Sequence, residues 1–521
     1  MKKNSILVAL LAVVSFLFVS CDNAVKKQYA VIPDDSPMLA KVNLGNLINE
    51  SEILEVSMVR TALDFMVNTM PRDLRRTFSE ISVDPSKSGI NVNEPLVLSI
   101  SVEPVEMVVA MAVSDKERLV EVFEALADGS GAELVEDNGL TKVDLSVLSR
   151  RKEFDVVFNS DVIVLAFSEK GNADAEYYMN LDSDEQAVNN KRYADFFAVN
   201  SDASFFMDTT PIFASLTREL YMSEDDKALI EMYTQAEIAV LANLNFEKGY
   251  AQIDSKVYAT EEYLGMLNDA WLDVNKKFLE YIPESAVAVF SAAMNWEKVL
   301  DMNPQFEELV TMIEELGFNK DMLKDISGDV VLALLPAENI CGQMLPQALF
   351  AIECKSREVV DVLLENFPED MLTEVETDVY ALGLNKLADE ADGYDYYLMY
   401  KADAIWFLPE NIYSQIVKDD KLKALKRNIT DNPMFSVLDD ACIVADADAI
   451  IELCGNVLGH ISPSAKSIMD FCTIFENMEV VMEEPTESLY RINMKYKNAN
   501  VLKQLVDEAF ALASSAVFQD F

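Results

Sequence analysis

Cys21 is the residue of this chain whose surroundings most directly specify chemistry. It closes the run Phe18-Val19-Ser20-Cys21 behind an apolar stretch, Ile6 to Val19, and a positive start, Lys2 and Lys3. The stretch is too short to span a bilayer, and Ser20 is the small residue that signal cleavage requires. The pattern matches a bacterial lipobox, so residues 1–20 are expected to be a lipoprotein signal peptide. Cys21 is then the lipid attachment site, carrying a diacylglycerol on its sulfur and an acyl chain on its new amino group. More than one chain is what stable anchoring needs. Residues 21–28, with the polar run Asp22 to Lys27, are expected to serve as anchor and tether, and the membrane is the partner they imply.

Elsewhere, residues with catalytic potential lack catalytic spacing. His460 is the single histidine and sits in Leu458-Gly459-His460-Ile461-Ser462-Pro463, which reads as a loop after a helix. No Gly-x-Ser-x-Gly elbow, His-Glu-x-x-His helix or phosphate-cradling glycine loop is present. Setting Cys21 aside, Cys341, Cys354, Cys442, Cys454 and Cys472 all fall in the second half and form no Cys-x-x-Cys pair, so a thiolate metal site or redox motif is not expected. The oxygen-rich Asp389-Glu390-Ala391-Asp392-Gly393-Tyr394-Asp395 lacks the EF-hand register and reads as a turn entering a strand. Asp446-Ala447-Asp448 reads as a helix N-cap. Neither metal nor cofactor is expected. A pair of carboxylates acting on a glycosidic bond is the one enzymatic alternative, because acids are plentiful, and it requires one of them to be buried with a raised pKa.

The chain has 42 Lys and Arg against 90 Asp and Glu, a net charge of −48. Nucleic acid is excluded as a partner, since its binding needs a basic stripe. Half of the residues are apolar and Gly and Pro are sparse, which excludes disorder and points to more than one core in 521 residues.

Those cores look alike. Val31-Ile32-Pro33-Asp34 returns as Tyr281-Ile282-Pro283-Glu284, Leu119 to Phe123 as Val359 to Leu363, Tyr250 to Ile253 as Tyr490 to Asn493, and Phe197 to Phe205 as Phe435 to Ile443, with Asp202 matched by Asp440. The order is kept at nearly constant spacing, which predicts a first repeat at 29–279 and a second at 280–521. Within each, alternating apolar runs predict strands, among them Leu96 to Val102, Met107 to Val113, Phe154 to Phe158 and Val162 to Phe167. Helical spacing predicts Ser57 to Val67, a helix Asp115 to Leu126 capped by Ser114, and a closing helix Glu261 to Phe278. Hairpins outnumber βαβ crossovers. The fold class expected is therefore α+β, two tandem homologous domains, each a mostly antiparallel sheet with packed helices.

The signal peptide, the Ile-Pro-acid opening after a short tether and the duplicated layout resemble an uncharacterised lipoprotein family of Bacteroidota, a domain of unknown function. The resemblance implies a location and an architecture. The combined expectation is a membrane-anchored acidic envelope lipoprotein with a non-enzymatic binding, scaffolding or accessory role, with a carboxylate-dependent glycan hydrolase as the alternative. Its place would be the outer membrane, periplasmic face, or the cell surface, and its partner an envelope protein or ligand.

Overall fold

The computed structural model describes residues 26–519 apart from 131, 145–151, 220–222, 302–310, 312–313, 315–316, 341–342, 369–370, 384–394, 439 and 459–468. Its described residues fall into two compact units: one draws on Met1–Tyr221, Tyr233–Tyr258 and Asn498–Phe521, the other on Met222–Met232 and Ala259–Lys497. Compactness and sequence order are different criteria, so residues 222–232, 259–279 and 498–521 change sides between these units and the expected repeats.

Among the described residues, ten strands longer than two residues build the sheet of the first unit: β1 Met38–Val42, β2 Leu96–Val102, β3 Val105–Val113, β4 Glu133–Asp137, β5 Leu140–Asp144, β6 Phe154–Phe158, β7 Val162–Ser168, β8 Ala203–Asp208, β9 Ala239–Glu247 and β10 Tyr250–Tyr258. All neighbours are antiparallel, in the order β4-β5-β6-β7-β3-β2-β1-β8-β9-β10. In the second unit the strands are β11 Ala288–Asn295, β12 Ser327–Ile340, β13 Gln343–Glu353, β14 Leu372–Glu376, β15 Val379–Gly383, β16 Asp395–Tyr400, β17 Ala404–Pro409, β18 Ala441–Asp446, β19 Phe475–Glu484 and β20 Glu487–Met494. Their order is β14-β15-β16-β17-β13-β12-β11-β18-β19-β20, again antiparallel throughout. Adding ten to each strand number of the first order gives the second.

The helices used below are α1 Leu44–Ser51, α2 Ser57–Thr69, α3 Arg72–Val83, α4 Lys116–Ser130, α5 Ala194–Ala198, α6 Glu261–Ala270, α7 Arg357–Glu365, α8 Glu410–Ile416, α9 Ala447–Leu458 and α10 Val501–Gln519. Helices on antiparallel sheets make the chain α+β. Two details depart from expectation. The cap of α4 is Asp115, whose carboxylate accepts from Arg118 N at 3.0 Å, rather than Ser114. The helix expected over Glu261 to Phe278 stops at Ala270 because the following backbone is used elsewhere: Leu272 N donates to Ala293 O, and Asn275 N and Lys277 N donate to the Asp329 carboxylate.

Each sheet has an inner and an outer face. In the first unit Leu39, Val97, Ala110, Val164 and Phe206 of the inner face close a core with Ile32, Tyr178 and Phe196. In the second, Val289, Val331, Ala351, Trp406 and Val444 do so with Phe278, Ile412 and Phe435. On the outer faces, among the described residues, helices cover one end of each sheet, and in the second Trp271, Val274 and Trp296 also pack on Ala292 and Val330 together with Phe290 and Phe350. Leu119 and Val122 of α4 with Phe78 and Ile81 of α3 pack on Val156, Phe158 and Ile163, and Val359 and Val360 of α7 pack on Leu382, Leu398 and Ile405.

Candidate functional site

Lys41 is the most unusual side chain of the inner faces. A single charged residue within the apolar strand β1, it is 2% exposed. Its Nζ donates to Phe196 O at 2.5 Å and Val199 O at 2.6 Å, the carbonyls at the C-terminal end of α5, and lies 5.1 Å from the centroid of the Phe196 ring. A cation at this end of a helix meets unpaired carbonyls and the negative end of the dipole. Burial, with a smaller contribution from Lys26, pulls its pKa down to about 8. In the sheet Lys41 faces Ser204, so a serine nucleophile with a lysine base has to be weighed. The hydrogen bonds argue against it. Lys41 is engaged by two carbonyls, while Ser204 Oγ pairs with Ser201 Oγ at 2.7 Å in a buried contact that leaves no path for substrate.

A second polar cluster joins α1 to the ends of β8 and β9. Asp202 is buried, with Oδ1 accepting from Asn46 Nδ2 at 3.1 Å and Oδ2 from Phe246 N at 2.7 Å. Beside it, Glu50 is raised to about 7, chiefly by burial and then by the charge of Asp202, with Asn500 opposing and Glu247 adding to the rise. A raised acid beside a second carboxylate is the signature a glycosidase would need. Here each Asp202 oxygen accepts one internal donor, Asn46 Nδ2 or Phe246 N, which fixes this carboxylate between α1 and β9.

The outer faces carry accessible apolar side chains. Across seven strands of the second sheet, Phe407, Phe350, Leu332, Phe290, Ile443, Val480 and Tyr490 stand in register, and all are apolar or aromatic. Leu332 is 47% exposed, Ile443 43% and Tyr490 44%, with Met478 in the adjoining row at 50%. In the first sheet the matching row is Leu165, Val109, Leu98, Ala40, Phe205, Ala242 and Ser255, and Phe205 is 41% exposed. Scattered exposed apolar residues are ordinary, but Leu332, Ile443, Met478 and Tyr490 share a stripe on one face of neighbouring strands, while Phe407, Phe350 and Phe290 of the row are partly buried against packed side chains. The two rows end differently, because Ser255 stands where the second sheet has Tyr490.

Among residues singled out from sequence, Cys21, His460, Cys341 and the stretch Asp389 to Tyr394 lie outside the described residues. Cys354, Cys442, Cys454 and Cys472 occur as thiols, the first two fully buried, and burial pushes the Cys354 thiol up. Asp446 caps α9 through Ala449 N at 3.0 Å as expected. Among the described residues, no group of three or more His, Cys, Asp or Glu is placed to hold a metal ion, and no helix is long and apolar enough to cross a membrane. Sequence reading passed over Lys41, although a lysine two positions after Leu39 in an alternating strand must face inward, and that is a usable signal.

A family model described as a domain of unknown function, DUF4836, matches residues 29–502. No curated protein matches the chain. Among solved structures, crystal form III of TP0453 aligns over 46% of this chain and 81% of that one at 9% identity with a TM-score of 0.26. Crystal form I of TP0453 aligns over 46% and 80% at 8% identity with a TM-score of 0.25.

Proposed function

This chain belongs to the DUF4836 family, a domain of unknown function, and from that premise we propose that it is an acidic envelope lipoprotein whose work is binding rather than catalysis. The open apolar stripe of the second sheet carries the reading. Leu332, Ile443, Met478 and Tyr490 hold large apolar side chains in water where a self-contained domain would bury them. The occupant we assign to it is a protein partner with an apolar patch bordered by Lys and Arg. A net charge of −48 steers such a partner in and repels anionic ones.

The lipobox motif supports lipidation at Cys21, which would hold the protein on the outer membrane facing the periplasm, or on the cell surface, as in the Bacteroidota lipoproteins it resembles. The shared strand order supports two tandem homologous repeats, 29–279 and 280–521, derived by duplication.

The test is crosslinking and pull-down of the membrane-anchored protein from its native cells, beside a variant carrying Leu332→Asp and Ile443→Asp. A partner lost from the variant and released from the wild type by salt is the expected result. A partner retained by the variant overturns the assignment of the stripe. Separately, Cys21→Ser is expected to abolish incorporation of labelled fatty acid, and unchanged labelling would refute the anchor.

A further inference from the structure

Helix α10 packs on α1 and β9 within the first unit, and its start is fixed by Asn500. Asn500 Oδ1 accepts from Leu502 N at 2.8 Å, and its Nδ2 donates to Phe246 O at 2.7 Å. Phe246 N in turn donates to Asp202 Oδ2 at 2.7 Å, and Asp202 Oδ1 accepts from Asn46 of α1. A single residue at the end of β9 therefore ties the helix start to a buried carboxylate, and that carboxylate to α1.

Glu50, in the last turn of α1, sits at this junction with its Oε2 buried and without a hydrogen-bond donor. The charged groups around it are mostly negative. The Asp202 and Glu247 charges act on it, and Glu52, Asp507 and Glu508 lie on α1's end and α10. Of the cations, Lys503 on α10 is engaged by Glu52 at 2.7 Å and Asp507 at 3.6 Å, and Lys248 makes no ion pair with Glu50 among the described residues. Ionised Glu50 would be a carboxylate beside Asp202 with Oε2 buried and without a donor, held in its charged form only by the side-chain hydrogen bond of Asn500.

We propose that this junction is a proton-sensitive latch: protonated Glu50 lets α10 seat on α1 and β9, and loss of the proton loosens the helix from the first unit. Burial and the Asp202 charge raise Glu50 from 4.5 to about 7, so the seated state holds the proton more tightly than the released one. Seating is strongest below 4.5, weakens as pH climbs to about 7, and levels off above that.

Hydrogen–deuterium exchange of the whole protein reads this directly through the amides of residues 502–510, corrected for intrinsic exchange. If release restores the ordinary value, protection should fall by roughly tenfold or less between pH 6 and pH 8, solvent screening reducing it from that limit. Strands β12 and β13 should show no such change. Glu50→Gln, neutral at both pH values, is expected to erase the difference, and Asp202→Asn to move the transition to lower pH. Equal wild-type protection at pH 6 and pH 8, or an undiminished difference in Glu50→Gln, overturns the latch. Should Glu50→Gln lose its native circular dichroism, the Asp202→Asn transition decides, and an unmoved midpoint overturns the proposal.

Discussion

Val164, Ala110, Val97, Lys41, Ser204, Asn243 and Asp254 face one another across seven strands of the first sheet, while Trp406, Ala351, Val331, Ser291, Cys442, Val481 and Leu489 do so in the second. The two rows occupy the same positions in the same strand order. One turns polar from its fourth member onward; the other stays almost wholly apolar and begins with an indole. The difference teaches that strand order here is set by alternation and hairpin connection, which both halves share, and not by any particular inward side chain. Each row is nonetheless internally consistent. Lys41 is tolerated because α5 offers two carbonyls, and Trp406 because Phe278 and Tyr281 meet its ring edge-on and its N–H reaches Lys401 O at 3.1 Å.

The sharpest way to break the comparison is to empty the first place of each row. Trp406→Ala should cost about 3–5 kcal/mol through the cavity it leaves. Val164→Ala, at the matching place, should cost only about 1.5 kcal/mol for two lost methylene equivalents. Urea unfolding of the purified protein measures both, and equal losses would mean that the rows are not equivalent in packing.

Next in size is Lys41→Met. The change strands the carbonyls of Phe196 and Val199 away from water, at about 1–3 kcal/mol. It also carries a pH signature whose sign is fixed: a lysine depressed to about 8 in the fold, against 10.5 ordinarily, binds its proton less tightly when folded. Lys41 therefore contributes increasing stability as pH rises from about 8 towards 10.5. The stability difference between wild type and Lys41→Met should widen over that window, and a constant difference would show that the amine stays charged throughout.

The smallest effect on stability belongs to the outer stripe. Phe205→Ser and Ile443→Ser remove side chains that are 41% and 43% exposed, so each should change unfolding free energy by about 0.5 kcal/mol or less. Fluorescence of a bound apolar dye should drop more for Ile443→Ser, because its row stays apolar to the last strand. A larger drop for Phe205→Ser would place the sticky face on the first sheet.

What could be seen beforehand follows from the range of each signal. Strands such as Phe154–Phe158 and Val162–Ser168 were legible because alternation is local. The closing helix was overextended since nothing in Trp271 to Phe278 announces that Asp329 and Ala293 will take its backbone. Glu50 and Asp202 lie far apart in the chain, so their meeting is a tertiary fact, and Asp202 registered only as a marker of repetition. The stripe was hidden for another reason. Val330 to Leu335 is apolar at every position and Ala288 to Met294 at every position but Ser291, as in a strand buried on both faces, and a sequence does not say which face its helices leave bare.

Asn500 and Phe246 are joined across 254 residues of chain, and nearly everything between them belongs to the second unit. This makes the order of synthesis matter. When residue 497 has emerged, every described segment of the second unit is present, yet the first still lacks α10. The half that starts first is completed last, so until the final segment arrives it must present the bare flanks of α1 and β9 to whatever escorts the growing chain.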